Sequence, residues 1–209
     1  MLNWDNTIDS VYSLAHESIG AILNYLSRIN EFSLSTHSVL MTEIFSQYIE
    51  FELTKYFENY REDTRELLRQ REVIDFKDKV ITPLINTLFE VENFNDISSG
   101  ELSIEKVNQN YLDATNKLYG EHKHFYYLEK NKYNWVKQAH IFKPFYDSSY
   151  SVVYFIAKYC SNDVISKEKL LQTASLGRSL SDDDILEKIL GIDRDKFNHI
   201  FKEIIYEIT

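Results

Sequence analysis

A histidine and a glutamate side by side on a helix are raw material for metal-assisted hydrolysis. His16 and Glu17 stand together within residues 11–27, VYSLAHESIGAILNYLS. In a His-Glu-x-x-His helix, two imidazoles at i and i+4 face the same way and hold a zinc ion, while the intervening glutamate activates its water. Here the i+4 position is Gly20. On these residues alone the pair is half a motif, and a His-Glu pair on a helix is also a common accident.

The elements that must position these residues are helices. Within residues 6–29, Ile8, Val11, Tyr12, Ala15, Ile19, Ile22, Leu23 and Leu26 recur at three- and four-residue steps. Residues 30–35 break that pattern, and Ser35 or Thr36 can cap a second helix over about 37–60, with Leu40, Ile44, Tyr48 and Phe51 on one stripe. Residues 61–71 mix both charges at helical spacing and suit a solvated face or connector. A third helix is expected over about 75–93, with a kink or a start near Pro83. Residues 94–100, FNDISSG, look like the clearest loop; Ser103 can then cap a helix that runs to Tyr119 and stops at Gly120. Residues 121–135 have no period and are expected to be irregular, and a helix is expected over 137–160 around Pro144. Two shorter helices close the chain, one from a Ser181–Asp184 cap to Gly191 and one over 193–208. With no repeat, low-complexity stretch or linker, residues 1–209 are expected to form one all-α unit.

Composition narrows the field. Among 209 residues only five are glycine and two proline, which disfavours a turn-rich β fold. Fifteen tyrosines and thirteen phenylalanines imply aromatic packing with phenol hydroxyls in need of partners. The formal charge of −10, without a basic stripe, makes nucleic acid a poor partner. No apolar run is long enough to span a membrane, and the start of the chain lacks the basic and apolar parts of a signal peptide, so a cytoplasmic setting is expected. The single Cys160 has no partner for an intrachain disulfide and is expected to be a small buried hydrophobe.

Beyond these patterns, VYSLAHE followed by AILNYLS resembles the zinc helix of the oligoendopeptidase F group of metallopeptidases, relatives of thimet oligopeptidase. That family takes a third ligand from a glutamate twenty-two residues past the second histidine; the same count from Gly20 arrives at Glu43, in Thr42-Glu43-Ile44-Phe45-Ser46, with Glu50 seven residues on. Asn86-Thr87-Leu88-Phe89 is similar to the family's Gln-Thr-x-Phe segment. Gly100-Glu101-Leu102-Ser103, with Tyr111, Tyr119 and Gly120, is similar to its Gly-x-Leu-Thr…Tyr…Tyr-Gly stretch. His140, followed by Phe145-Tyr146 and Tyr150, resembles its His-Phe…Phe-Tyr-Val-Tyr-x-Tyr signature. These matches run in order through nearly the whole chain.

The resemblance implies a multi-helix, zincin-like catalytic domain, with zinc as cofactor and short peptides as substrates. It makes His16 and Glu43 metal ligands, and Glu17 the base that takes a proton from zinc-bound water. His140, Tyr146 and Tyr150 become donors to the substrate carbonyl. On the residues alone, plainer readings stay open: Glu43 and Glu50 as the wet side of a helix, His140 as a core histidine, Tyr146 and Tyr150 as parts of an aromatic core.

Two departures bear on activity. Gly20 removes an imidazole, and no other histidine is aimed at the gap by its spacing, neither His37 nor His122 nor His124. The family also carries a large helical region upstream of the zinc helix, whereas only fifteen residues precede His16 here. That implies a second chain as partner, an open cleft or a remnant, and exposed apolar surface where the upstream region would pack. The expectation is a weakly active or inactive metallopeptidase-type domain; the alternatives are a working zinc peptidase completed by another ligand or chain, and a non-enzymatic helical module binding peptides or proteins in the old cleft.

Overall fold

The computed structural model describes residues 4–30, 36–60, 62–119, 129–162 and 164–208, and every regular element among them is helical. The elements are α1 (Ile8–Asn30), α2 (Val39–Tyr60), α3 (Arg65–Phe76), α4 (Thr82–Ser99), α5 (Ile104–Tyr119), α6 (Ser148–Ser161), α7 (Lys167–Leu176), α8 (Asp182–Asp184) and α9 (Arg194–Ile208). Short 3₁₀ turns and two π-helical stretches, Lys77–Ile81 and Ile185–Leu190, lie between them. The chain divides into two compact units, Met1–Arg69 with Val153–Thr209 (unit 1) and Gln70–Val152 (unit 2). No helix among the described residues is long and apolar enough to cross a membrane.

Unit 1 is built on the antiparallel pair α1 and α2. Tyr12 Oη lies 2.7 Å from Thr54 Oγ1, and one turn further along α1 the Ser46 hydroxyl donates to the His16 carbonyl at 3.2 Å. Tyr12, Ile19 and Leu23 of α1 are buried, as are Met41, Ile44 and Phe45 of α2, at the spacing that a helix face requires. Aromatic pairs complete the core: Phe51 meets Tyr154 edge to face at 5.3 Å, and Phe155 meets Phe201 at 4.8 Å. Cys160 is buried, and burial pushes its thiol up to about 12. It is the small hydrophobe that its sequence context implies.

Helix starts follow hydroxyl and carboxylate caps. The α2 cap is Ser38, whose Oγ accepts the Met41 N–H at 3.0 Å, and not Thr36; Ser35 lies outside the described residues. Ser103 accepts from Lys106 N (3.2 Å), Ser181 from Asp184 N (3.2 Å) and Asp193 from Lys196 N (2.7 Å), and Gly191 closes its helix with φ at 70°. The helix α7 has no counterpart in the sequence reading.

In unit 2, Ile85 and Phe89 of α4 pack on Tyr111 and Ala114 of α5, with Phe89 set between Tyr111 (5.3 Å) and Trp135 (6.1 Å). Two expectations fail here. Residues 94–100 are not a loop, because α4 continues to Ser99 and ends on Gly100 at φ 73°. Their loop-like side chains are absorbed locally: Ser98 and Ser99 donate back to the Phe94 and Asp96 carbonyls, and the buried Asp96 accepts from Asn110 and Lys106. Nor is 137–160 one helix. Glu129–Lys137 and Ala139–Phe142 are 3₁₀, and α6 starts only at Ser148, since Pro144 has no N–H to give and Phe145 turns to φ 55°. Pro83 behaves as expected, at the start of α4 after the π-helical stretch. Gly120 and residues 121–128, with His122 and His124, lie outside the described residues.

Candidate functional site

In unit 1 the α1–α2 pair brings His16 between two carboxylates. Glu43 and Glu50 are two turns apart on α2 and so share a face. The His16 imidazole donates from Nδ1 to Glu50 Oε1 at 2.8 Å, and its Nε2 lies 3.5 Å from Glu43 Oε2. Glu50 is 5% exposed, so the wet-face reading fails for it. An ionised carboxylate there would hold a proton on Nδ1 and leave Nε2 toward Glu43, as an outer carboxylate does behind a metal-binding histidine. A lone pair facing a carboxylate oxygen is favourable only with positive charge between them, a proton or a metal ion. Glu17 is exposed on α1, a hundred degrees round from His16.

A catalytic zinc takes three protein ligands and a water. His16 and Glu43 would supply two, and among the described residues no group of three or more His, Cys, Asp or Glu is arranged to hold a metal ion. The described side chains therefore fall short of a catalytic zinc set. At Gly20, where the i+4 imidazole is expected, an added Cβ meets no heavy atom within 4 Å, so the position is open. His37 does not substitute. It is buried against Phe45 and donates from Nε2 to the Ala174 carbonyl at 3.0 Å, and burial holds its imidazole below the usual histidine range.

Also in unit 1, α1, α2 and α7 line an apolar pocket of about 300 Å³. Its walls include Ile19, Leu23, Phe45 and Leu170, with Lys167 as its charged residue.

Unit 2 gathers the other three predicted residues. The His140 ring stacks parallel on Tyr150 at 6.0 Å and meets the edge of Tyr146 at 4.9 Å; the Tyr150 hydroxyl donates to that of Tyr146 at 3.2 Å. Lys143 Nζ sits 5.0 Å from the Tyr146 ring centre. The His140 side chain is 52% exposed, which excludes the core-histidine reading. Behind it stands a group that the sequence reading missed. His140 Nδ1 lies 2.9 Å from Asp147 Oδ1, Asn86 Nδ2 donates to Asp147 Oδ2 at 2.6 Å, and Glu90 accepts the Phe145 N–H. Burial, first, holds the Glu90 carboxyl above the usual glutamate range, and the nearby Asp147 adds to the effect. The available signal was Asn86 and Glu90, one turn apart, interrupting an apolar stripe of Ile85 and Phe89.

Comparison with known proteins places this chain beside bacterial oligopeptidases at low identity. It is 25% identical to the group B oligopeptidase PepB of Streptococcus agalactiae, over 86% of this chain and 31% of that protein. It is 23% identical to the plasmid oligoendopeptidase F of Lactococcus lactis subsp. cremoris over 96% of this chain and 34% of that protein, and 22% identical to the oligopeptidase PepF of Bacillus subtilis over 92% and 30%. The chain thus spans about a third of the length of the curated relatives it matches. No family model matches it. No solved structure matches it either.

Proposed function

We propose that this chain is an oligopeptidase-type helical domain that binds short peptides and hydrolyses them weakly or not at all. One observation carries the reading: His16 faces Glu43 and is held from behind by Glu50, while the next helical position of that face is an open Gly20. The frame of a metal-hydrolase site is present with one ligand short. Zinc would meet two protein donors and extra water. Averaged over four ligands, a structural zinc worth ~10–16 kcal/mol owes about 3 kcal/mol to each, so the missing imidazole weakens binding by roughly a hundredfold or more. The similarity to oligopeptidases supports the peptide part of the reading. His140, Tyr146 and Tyr150 offer a second place where peptide polar groups can be bound.

A non-enzymatic binding module is the second reading. The apolar pocket of unit 1 favours it, as do Leu14, Ile22, Tyr25 and Ile29, which lie exposed along α1 at helical steps. A partner chain covering that face belongs to this reading.

The deciding experiment measures metal content, peptide binding and turnover on one sample, using an internally quenched short peptide with and without added zinc. The expected result is binding, well under one zinc per chain and turnover near background. Stoichiometric zinc lost in His16→Ala, together with turnover lost in Glu17→Gln, would overturn the inactive reading. Failure to bind any short peptide would sink the peptide reading and leave the protein-binding one.

A further inference from the structure

The His140 ring is governed by buried polar groups to which the peptide-binding reading gives no task. Asp147 is 4% exposed and Asn86 1%, so both have left water almost completely. Burying them is costly unless their hydrogen bonds are made. Asp147 makes its bonds with both oxygens, Oδ2 to the Asn86 amide and Oδ1 to His140 Nδ1. An ionised carboxylate can only accept, so the Nδ1–H of His140 and the Nδ2–H of Asn86 are the donors.

The turn that presents Asp147 is gripped a second time from α4. Glu90, one helical turn beyond Asn86, accepts the backbone N–H of Phe145. Phe145 has φ at 55°, a conformation a bulky side chain rarely holds without support. Its ring stacks on Phe94 at 5.4 Å, also on α4. Two side chains and one ring of a single helix therefore dictate where the 143–147 turn puts its carboxylate. The imidazole cannot rotate freely either, with Tyr150 on its face and Tyr146 at its side.

We propose that Asp147, locked by Asn86, is a positioning residue that keeps the proton of neutral His140 on Nδ1 and leaves Nε2 as the bare, ligand-facing acceptor. The consequence differs from what the resemblance implies. A neutral His140 with its only N–H committed to Asp147 does not donate to a substrate carbonyl; it accepts, from a peptide N–H or a water. The donor to a carbonyl in this cluster is then the hydroxyl of Tyr146, since Tyr150 gives its own to Tyr146. Which group meets Nε2 rests on the peptide-binding reading, but the tautomer does not.

The test is ¹⁵N spectroscopy of histidine-labelled protein at a pH where the ring carries one proton, with His140→Gln to identify the signals. The expected wild-type pattern has Nε2 as the pyridine-like nitrogen and Nδ1 as the protonated one. In Asp147→Ala the pattern shifts toward the Nε2–H tautomer that free imidazole side chains prefer. A proton on Nε2 in the wild type overturns the proposal without any variant, so it stands or falls even if Asp147→Ala does not fold. An unchanged pattern in a folded Asp147→Ala overturns it as well. Short-peptide binding is measured on the same sample; its absence counts against the peptide reading alone.

Discussion

Placing histidine at position 20 tests whether His16 and Glu43 converge on one point. On α1, residue 20 lies one turn beyond His16 on the same face. A Cβ there meets no heavy atom within 4 Å, so the side chain enters without displacing neighbours at its root. The helix gains a few tenths of a kcal/mol, because glycine is the poorest helix former apart from proline. The ligand gain is larger: about 3 kcal/mol for a third protein ligand, or zinc binding tighter by roughly a hundredfold or more. With free zinc at 100 times the new Kd, linkage adds about 2.7 kcal/mol of stability. For a chain of this size that is a rise in Tm of roughly 5–10 °C. Competition against a chromogenic chelator reads the affinity, and thermal unfolding with and without zinc reads the linkage. Gly20→Ala supplies the helix gain without the imidazole and is the control. If Gly20→His holds zinc no more tightly than Gly20→Ala, then His16 Nε2 and Glu43 do not share a metal position, and the reading of unit 1 fails.

Glu90 and His37, both buried, give predictions of opposite sign. Glu90 has a folded-state carboxyl raised by burial, so the unfolded chain loses its proton first and stability falls as pH rises above about 4.5. Glu90→Gln keeps an acceptor for Phe145 N–H without ionising, and urea unfolding is expected to show it gaining on the wild type between pH 4.5 and pH 8; an equal difference at both would refute this. His37 is the reverse, with an imidazole lowered by burial and an Nδ1 that is buried and unbonded. The unfolded chain takes up the proton first, so stability is lost as pH falls below 6.5. His37→Gln is expected to flatten that part of the curve, and a wild-type midpoint that does not move between pH 7.5 and pH 5.5 would contradict the assignment.

Where local chemistry decides structure, the sequence was legible. Ser103, Ser181 and Asp193 cap helices because a side-chain oxygen and a free N–H three residues on need nothing else. The stretch at 94–100 misled for a tertiary reason. Its Asp and Ser residues favour turns only until Asn110 and Lys106, from α5, make Asp96 worth burying in a helix. Pro144 misled in the other direction: its missing N–H and the φ of Phe145 delay α6 to Ser148, and the helical spacing around it is spent on a turn.

The candidate site divides along the same line. His16 and Glu43 come within 3.5 Å of each other as their spacing suggests, because helix periodicity and a short connection convert a residue count into position. The Asn86–Asp147–His140 chain was invisible, since its members lie up to 61 residues apart and no period links them. Yet both imidazoles are held in the same way, by a carboxylate at Nδ1 that is almost fully buried, Glu50 in unit 1 and Asp147 in unit 2. Stability does not require such pairs, because packed hydrophobes of similar volume are often as good or better, while removing one partner costs several kcal/mol. What the carboxylates supply is direction, one Nε2 aimed at Glu43 and one left as an acceptor beside two phenols. Gly20 touches neither bond. Gly20→His therefore changes the number of candidate ligands and leaves the orientation of His16 intact, which is why one side chain is enough to test the whole arrangement.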